Sequence, residues 1–212
     1  MSGEKYVDKS NLEEKTREWM EQLPYNKTWN CSVEMDKSAL IVVDMQEFFL
    51  NPSSHAYIPA GEVIIDNINE MVDYFAESCG MVLYTRHVTC EGQEGNMGQW
   101  WIDVLYEGED AQIDERIDIR GDTITKKTYS AFLDTNIEGR LNGIENIFIS
   151  GMMTDICCNY LARDAFVRGY RVFFLADATA AVNEDLHLSS LKSLSYGVAE
   201  ILSCQRAKSR CR

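Results

Sequence analysis

Short apolar runs, each followed by an amphipathic or polar stretch, recur along the chain. Ala39-Leu40-Ile41-Val42-Val43 is wholly apolar and rich in β-branched side chains, the pattern of a strand buried on both faces. Met81-Val82-Leu83-Tyr84, Asn146–Ser150, Arg171–Leu175 and Ala199–Leu202 read the same way, and Asp122–Lys126 is a further short strand. Residues 60–79 place Ile64, Ile68, Met71, Val72 and Phe75 on one helical face, and Gly80 supplies the stop. Thr135 with Glu138 makes a capping box for a helix ending near Gly143, Thr154 is placed to cap a helix reaching Gly169, and Asn183 to cap one ending near Gly197. Strands alternating with helices over short connections predict an α/β fold: three α/β/α layers around a mainly parallel sheet of roughly six strands.

Two segments stand apart from this alternation. Ser10 with Glu13 makes another capping box, predicting a helix over residues 11–23 that Pro24 ends. The chain therefore divides into an N-terminal helical extension, residues 1–37, and one domain, residues 38–212. Trp19, Met20 and Trp29 give the extension an apolar side suited to a subunit contact. Residues 86–121 are glycine- and acid-rich, contain the adjacent Trp100 and Trp101, and are too long for a plain connection, which marks them as functional.

Composition narrows the partners. Among 212 residues, 34 are acidic and 20 basic, a formal net charge of −14 that argues against nucleic acid or an anionic membrane as main partner. No apolar run approaches the ~20 residues of a membrane helix, and residues 1–10 lack the apolar stretch of a secretory leader. The seven cysteines are odd in number and form no CxxC, so reduced thiols and a cytoplasmic location are expected.

Ligands of open parallel sheets bind beyond the carboxyl ends of the strands. Three reactive side chains fall there: Asp44 after Val43, Lys126 at the end of its strand, and Cys157 in the first turn of a helix. Backbone N–H groups and the helix dipole at that position lower a thiol pKa, and a nearby ammonium would lower it further. Nucleophile, base and cation are the parts for covalent attack on a carbonyl carbon, and the turn before Cys157 aims amides at the developing oxyanion. Each residue alone has an ordinary reading: a turn-capping aspartate, a surface lysine, a small core thiol. Cys158 points about 100° away around the helix and reads as structural. A redox couple with Cys157 would be strained between neighbours.

The quoted residues also carry a resemblance. Leu40-Ile-Val-Val-Asp44-Met45-Gln46, Lys126-Lys-Thr-Tyr129-Ser130-Ala131-Phe132, Gly151-Met-Met-Thr154-Asp155-Ile-Cys157-Cys158 and Asp177-Ala-Thr-Ala180 resemble, in order and spacing, the motifs of the isochorismatase-like cysteine hydrolases, in the amidase branch related to N-carbamoylsarcosine amidase and nicotinamidase. The resemblance implies an Asp44-Lys126-Cys157 triad, with Lys126 preferred to Lys127 by its offset from Tyr129. It also implies a cis Met152–Met153 peptide and an oxyanion hole from the Met153 and Cys157 amides. The implied activity is cleavage of a non-peptide C–N bond in a small amide or carbamoyl (ureido) compound through a thioester. No cofactor is implied, the partner is a small-molecule substrate, and the chain is expected to form a homo-oligomer, a dimer or tetramer. Candidate substrate contacts are Gln46, Phe49, Arg86, His87, Trp100, Trp101 and Tyr129.

Two departures bear on the branch. Nicotinamidase-like members add a metal site with an aspartate and histidines between the first two motifs. Here only His55, His87 and His187 occur, and no D-x-H precedes Thr85-Arg86-His87, so no metal is expected. Members that cleave isochorismate break a vinyl ether without a cysteine nucleophile. Cys157 argues for covalent chemistry, while Asp44-Met-Gln-Glu-Phe48-Phe49-Leu50 resembles that branch and keeps vinyl-ether hydrolysis as the alternative, ahead of a non-catalytic binding protein.

Overall fold

A computed structural model describes residues 3–101 and 103–211. Among them the strands are β1 (Ser38–Val43), β2 (Met81–His87), β3 (Asp122–Lys126), β4 (Asn146–Met152), β5 (Arg171–Ala180) and β6 (Ala199–Leu202). All pair in parallel in the order β3-β2-β1-β4-β5-β6. The helices are α1 (Leu12–Glu21), α2 (Glu47–Leu50), α3 (Pro59–Val63), α4 (Ile65–Glu77), α5 (Gly95–Trp100), α6 (Ile137–Arg140), α7 (Cys157–Val167), α8 (Glu184–Gly197) and α9 (Cys204–Arg210).

Strand order reverses between β1 and β4. The crossover through α4 runs one way along the sheet and that through α7 the other, so right-handed connections put the two helices on opposite faces. α4 packs with α9, and α7 with α8. Because both faces are covered, every residue of β1 and β4 is buried. Phe148 of β4 stacks on Phe173 of β5 at 4.5 Å and meets Phe75 of α4 edge-on at 5.1 Å. Each such ring contributes about 2–3 kcal/mol by leaving water.

The point of reversal is where a crevice opens at the carboxyl ends. There Val43 pairs with Gly151. Gly151 has φ +103, and a Cβ on it would lie 2.1 Å from the Val43 carbonyl oxygen. Only glycine lets β1 and β4 close up at this edge.

Several predicted details give way to tertiary structure. The Ser10–Glu13 capping box does not form; Asp8 Oδ1 instead accepts the N–H groups of Ser10 and Asn11, ahead of α1. Thr154 does not cap α7, whose N-cap is Ile156. The helix expected up to Gly143 is the single turn α6. α2, α3, α5 and α9 are short and lack a periodic signal. Trp19 and Trp29 do not form an outward apolar side: Trp19 is 1 % exposed against His187, and the Trp29 indole N–H donates to the Val172 carbonyl. Among the described residues no helix is long and apolar enough to cross a membrane.

Candidate active site

Asp44 leaves β1 with φ 48, in the left-handed region that aspartate tolerates at about 1–2 kcal/mol. The β1–β2 register sets Val43 beside Thr85. The Asp44 N–H therefore reaches the Thr85 carbonyl at 3.1 Å, and the Thr85 hydroxyl donates to Asp44 Oδ1 at 2.7 Å. Thr85 was not foreseen as a site residue; its one signal is a hydroxyl inside an otherwise buried run. Lys126 closes β3 beside His87 of β2. Its long side chain passes the end of β2, and Nζ stops 2.7 Å from Asp44 Oδ2, 3.0 Å from the Thr128 carbonyl and 3.4 Å from Cys157 Sγ. Cys157 is the first residue of α7 and is 8 % exposed, while the carboxylate and ammonium are buried. The Met152–Met153 peptide is cis.

The ion pair at Oδ2 is close but off the hydrogen-bonding direction, so this buried oxygen has no aligned donor among the described residues. The carboxylate is within hydrogen-bonding reach of the thiol. Burial alone would push the Lys126 ammonium down, but Asp44 and the sulfur together outweigh it and hold the group well above the usual lysine range. Burial pushes the Cys157 thiol up, Asp44 pushes it further, and Lys126 only partly offsets them, leaving it at about 12. This corrects the expectation of a lowered thiol pKa: desolvation outweighs the helix start and the ammonium. At rest the sulfur keeps its proton. Cys158 is fully buried with its Sγ 3.9 Å from the Ser150 carbonyl oxygen.

The candidate substrate contacts separate. The Tyr129 hydroxyl accepts the Trp101 indole N–H at 2.8 Å, and Tyr129 lies near enough to Cys157 for a thiolate there to raise its pKa. Trp101 also lines a cavity of about 1360 Å³ with Phe48, His55 and Tyr106. His87 is buried beside Lys126, and burial with that ammonium pushes its pKa down to about 4, so it is neutral. Four other candidates have their surroundings in the structure as follows. Trp100 is 81 % exposed. Arg86 points to the opposite face of β2 from His87, where both guanidinium ends are held by Glu107 at 2.7 and 2.9 Å. Gln46 spends its amide on backbone, accepting from the His87 N–H and donating to the His87 and Ala111 carbonyls, so it ties the 88–121 segment to β2. Phe49 packs into the main core edge-on to Phe48, and Phe48 takes the cavity wall.

The isochorismatase domain family matches residues 38–206. This chain belongs to that family. Among isochorismatase-like relatives, it is 35 % identical to nicotinamidase 3 of Arabidopsis thaliana over 180 residues, 81 % of this chain and 87 % of that protein. Its fold is similar to that of a cysteine hydrolase from Pseudomonas syringae pv. phaseolicola, with a TM-score of 0.80, 24 % identity and coverage of 89 % and 97 % of the two chains. It is also similar to the pyrazinamidase of Pyrococcus horikoshii in complex with zinc, with a TM-score of 0.71, 27 % identity and coverage of 79 % and 99 %. The family fold thus accounts for the three-layer architecture.

The zinc of the pyrazinamidase finds no matching donor set here. Among the described residues no three His, Cys, Asp or Glu side chains converge on a point where a metal ion could sit. His55 lies 3.7 Å from Asp103, His87 is buried beside an ammonium, and His187 lies inside the fold, so these residues do not fit a metal.

Proposed function

We propose that this chain hydrolyses the C–N bond of a small amide or ureido compound through a thioester on Cys157. The observation that carries the reading is the shared ammonium: Lys126 Nζ lies 2.7 Å from a carboxylate and 3.4 Å from a thiol at the carboxyl ends of β1 and β4. Asp44 takes the thiol proton as Sγ adds to the carbonyl carbon. The N–H groups of Met153 and Cys157, which have no acceptor among the described residues, receive the oxyanion; a donor of this kind is worth about 3–4 kcal/mol in other hydrolases. The C–N bond breaks as Asp44 returns the proton to the departing nitrogen. Water, giving a proton to Asp44, then adds to the thioester, the C–S bond breaks and the sulfur is reprotonated. The balance is amide plus water to acid plus amine or ammonia.

Vinyl-ether hydrolysis needs a proton donor but no nucleophile, and would leave the thiol beside Asp44 without a task. The names of nicotinamidase 3 and of the pyrazinamidase support an amide in preference. The test is ammonia release from a panel of nicotinamide, pyrazinamide and ureido acids, with mass spectrometry for an acyl group on Cys157. Cys157→Ala should abolish release. Turnover persisting in Cys157→Ala would refute the covalent reading.

A further inference from the structure

Residues 3–37 lie outside the stretch that matches the family, yet they reach the turn before Cys157 by two routes. On the first, Trp19 of α1 packs its indole against the His187 imidazole, with ring centres 4.4 Å apart and planes at 60°. Its indole N–H is fixed by Glu184 Oε1 at 2.8 Å, which Lys15 also pairs at 3.2 Å. His187 is fully buried, and its Nδ1 lies 2.9 Å from the Thr154 hydroxyl. Thr154 meets the ring on one side, Trp19 and Tyr6 pack against it, and the Ala176 backbone also bonds it. On the second route, the Tyr6 hydroxyl accepts the Ala181 N–H at 3.1 Å, and the Glu4 N–H donates to the Val182 carbonyl at 2.7 Å. Ala180, at the end of the same strand, accepts the Thr154 N–H at 2.9 Å. Thr154 is thus held at its hydroxyl and at its amide by groups that the extension braces, and it sits between the two residues whose amides face the reaction.

We propose that the N-terminal extension is a positioning element for the hydrolysis, with Trp19 and Tyr6 bracing His187 and the end of β5, and through them Thr154 and the amides of Met153 and Cys157. The inference rests on the reading of Cys157 as nucleophile. It gives residues outside the family domain a part in the rate, without contact with substrate.

The test uses the full chain, with nicotinamide as probe and ammonia release as readout. Trp19→Ala should lower kcat about tenfold or more while KM stays within about twofold, because displaced amides weaken transition-state contacts and not binding. Trp19→Phe, which keeps a ring against His187, should restore most of the rate. In the double variant Trp19→Ala/Thr154→Val the losses should not multiply, since both act through one contact. A folded Trp19→Ala chain with unchanged kcat, or losses that multiply, overturns the proposal. Should Trp19→Ala not fold, Tyr6→Phe decides: a fall of about threefold supports the bracing and an unchanged kcat refutes it. Cys157→Ala is run alongside; its retained turnover would sink the reading of Cys157 as nucleophile by itself. Iodoacetamide modification of Cys157, followed by mass spectrometry, needs no turnover and judges the bracing in that case: Trp19→Ala must change its rate by at least about threefold, and an unchanged rate overturns the proposal.

Discussion

Asp44→Asn separates the two opposite effects of one carboxylate. Asp44 disfavours the thiolate of Cys157 by its charge, yet it is the base proposed to take the proton during reaction. The magnitude follows from the shared ammonium. With 2.7 Å from Nζ to Oδ2 and 3.4 Å from Nζ to Sγ, the carboxylate oxygen and the sulfur lie no more than 6.1 Å apart. At an effective dielectric of about 20, two like charges at that distance repel by about 2.7 kcal/mol, or roughly two pKa units. Asparagine keeps the shape and removes the charge, so the thiol pKa should fall by that amount. At pH 8 the thiolate fraction then rises about a hundredfold; after the loss of intrinsic nucleophilicity with basicity, a small disulfide reagent should label Cys157 about tenfold faster. The same variant should lose about 10²–10⁴ in amide hydrolysis, the span of a missing general base. The assay is site-resolved labelling by mass spectrometry beside ammonia release. Labelling that slows or stays level in Asp44→Asn would refute the electrostatic assignment, and hydrolysis that survives would refute Asp44 as base.

Four further outcomes are expected. Burial pushes His187 down to about 3 and His87 to about 4, below the ordinary value near 6.5. Their stabilisation is therefore whole above about pH 6.5 and is lost as pH falls toward the folded values, about 2.5 kcal/mol each between pH 7 and 4.5; urea midpoints should fall less steeply with acid in His187→Gln, and identical slopes would exclude that histidine. Gly151→Ala drives a Cβ to 2.1 Å from the Val43 carbonyl and should cost about 3 kcal/mol or more, together with activity, by calorimetry and turnover. Trp100→Ala, at a side chain that is mostly in solvent, should leave stability within about 0.5 kcal/mol and kcat/KM within about twofold. Arg86→Ala should cost about 1 kcal/mol or less through the lost Glu107 pair; a KM rise confined to carboxylate-bearing amides would show that Arg86 meets substrate after all.

The parts of this molecule that were legible in the chain are those governed by local pattern. β1 and β4 are buried on both faces, so Ala39–Val43 and Ile147–Ile149 are apolar throughout, and Asp44, the residue following β1, is a polar outlier at the carboxyl edge of the sheet. Asn183 does cap α8, its side chain accepting the Leu186 N–H, because nothing tertiary competes for it. The capping signals at Ser10, Thr135 and Thr154 overreached where a tertiary or neighbouring partner took the side chain. Thr135 bonds back to the Ala131 carbonyl, and Thr154 belongs to His187 from 33 residues away. The same limit applies to Arg86 and Gln46: charge and hydrogen-bonding capacity are visible in the sequence, but the neighbour that uses them up is not. The rise in the Cys157 pKa was illegible for another reason. Helix start and ammonium are sequence-local causes, whereas desolvation depends on everything packed over the sulfur.

That desolvation decides how the proposed triad must work. With the thiol pushed up by burial, the sulfur is protonated at rest and a preformed thiolate is not the resting species. Proton transfer has to accompany bond formation, and the acceptor has to be in place beforehand. Asp44 Oδ2 meets this need because Lys126 neutralises its charge from the side without occupying its hydrogen-bonding direction. Asp44 and the sulfur both favour the ammonium, which is held well above the usual lysine range against its burial. Each partner comes from a different strand end: Asp44 from β1, Lys126 from β3 and Cys157 from the helix after β4. A one-residue slip of β3 against β2 would turn the Lys126 side chain to the opposite face. The β2–β3 register that pairs His87 with Lys126 is therefore as much a condition of the proposed chemistry as the three side chains themselves.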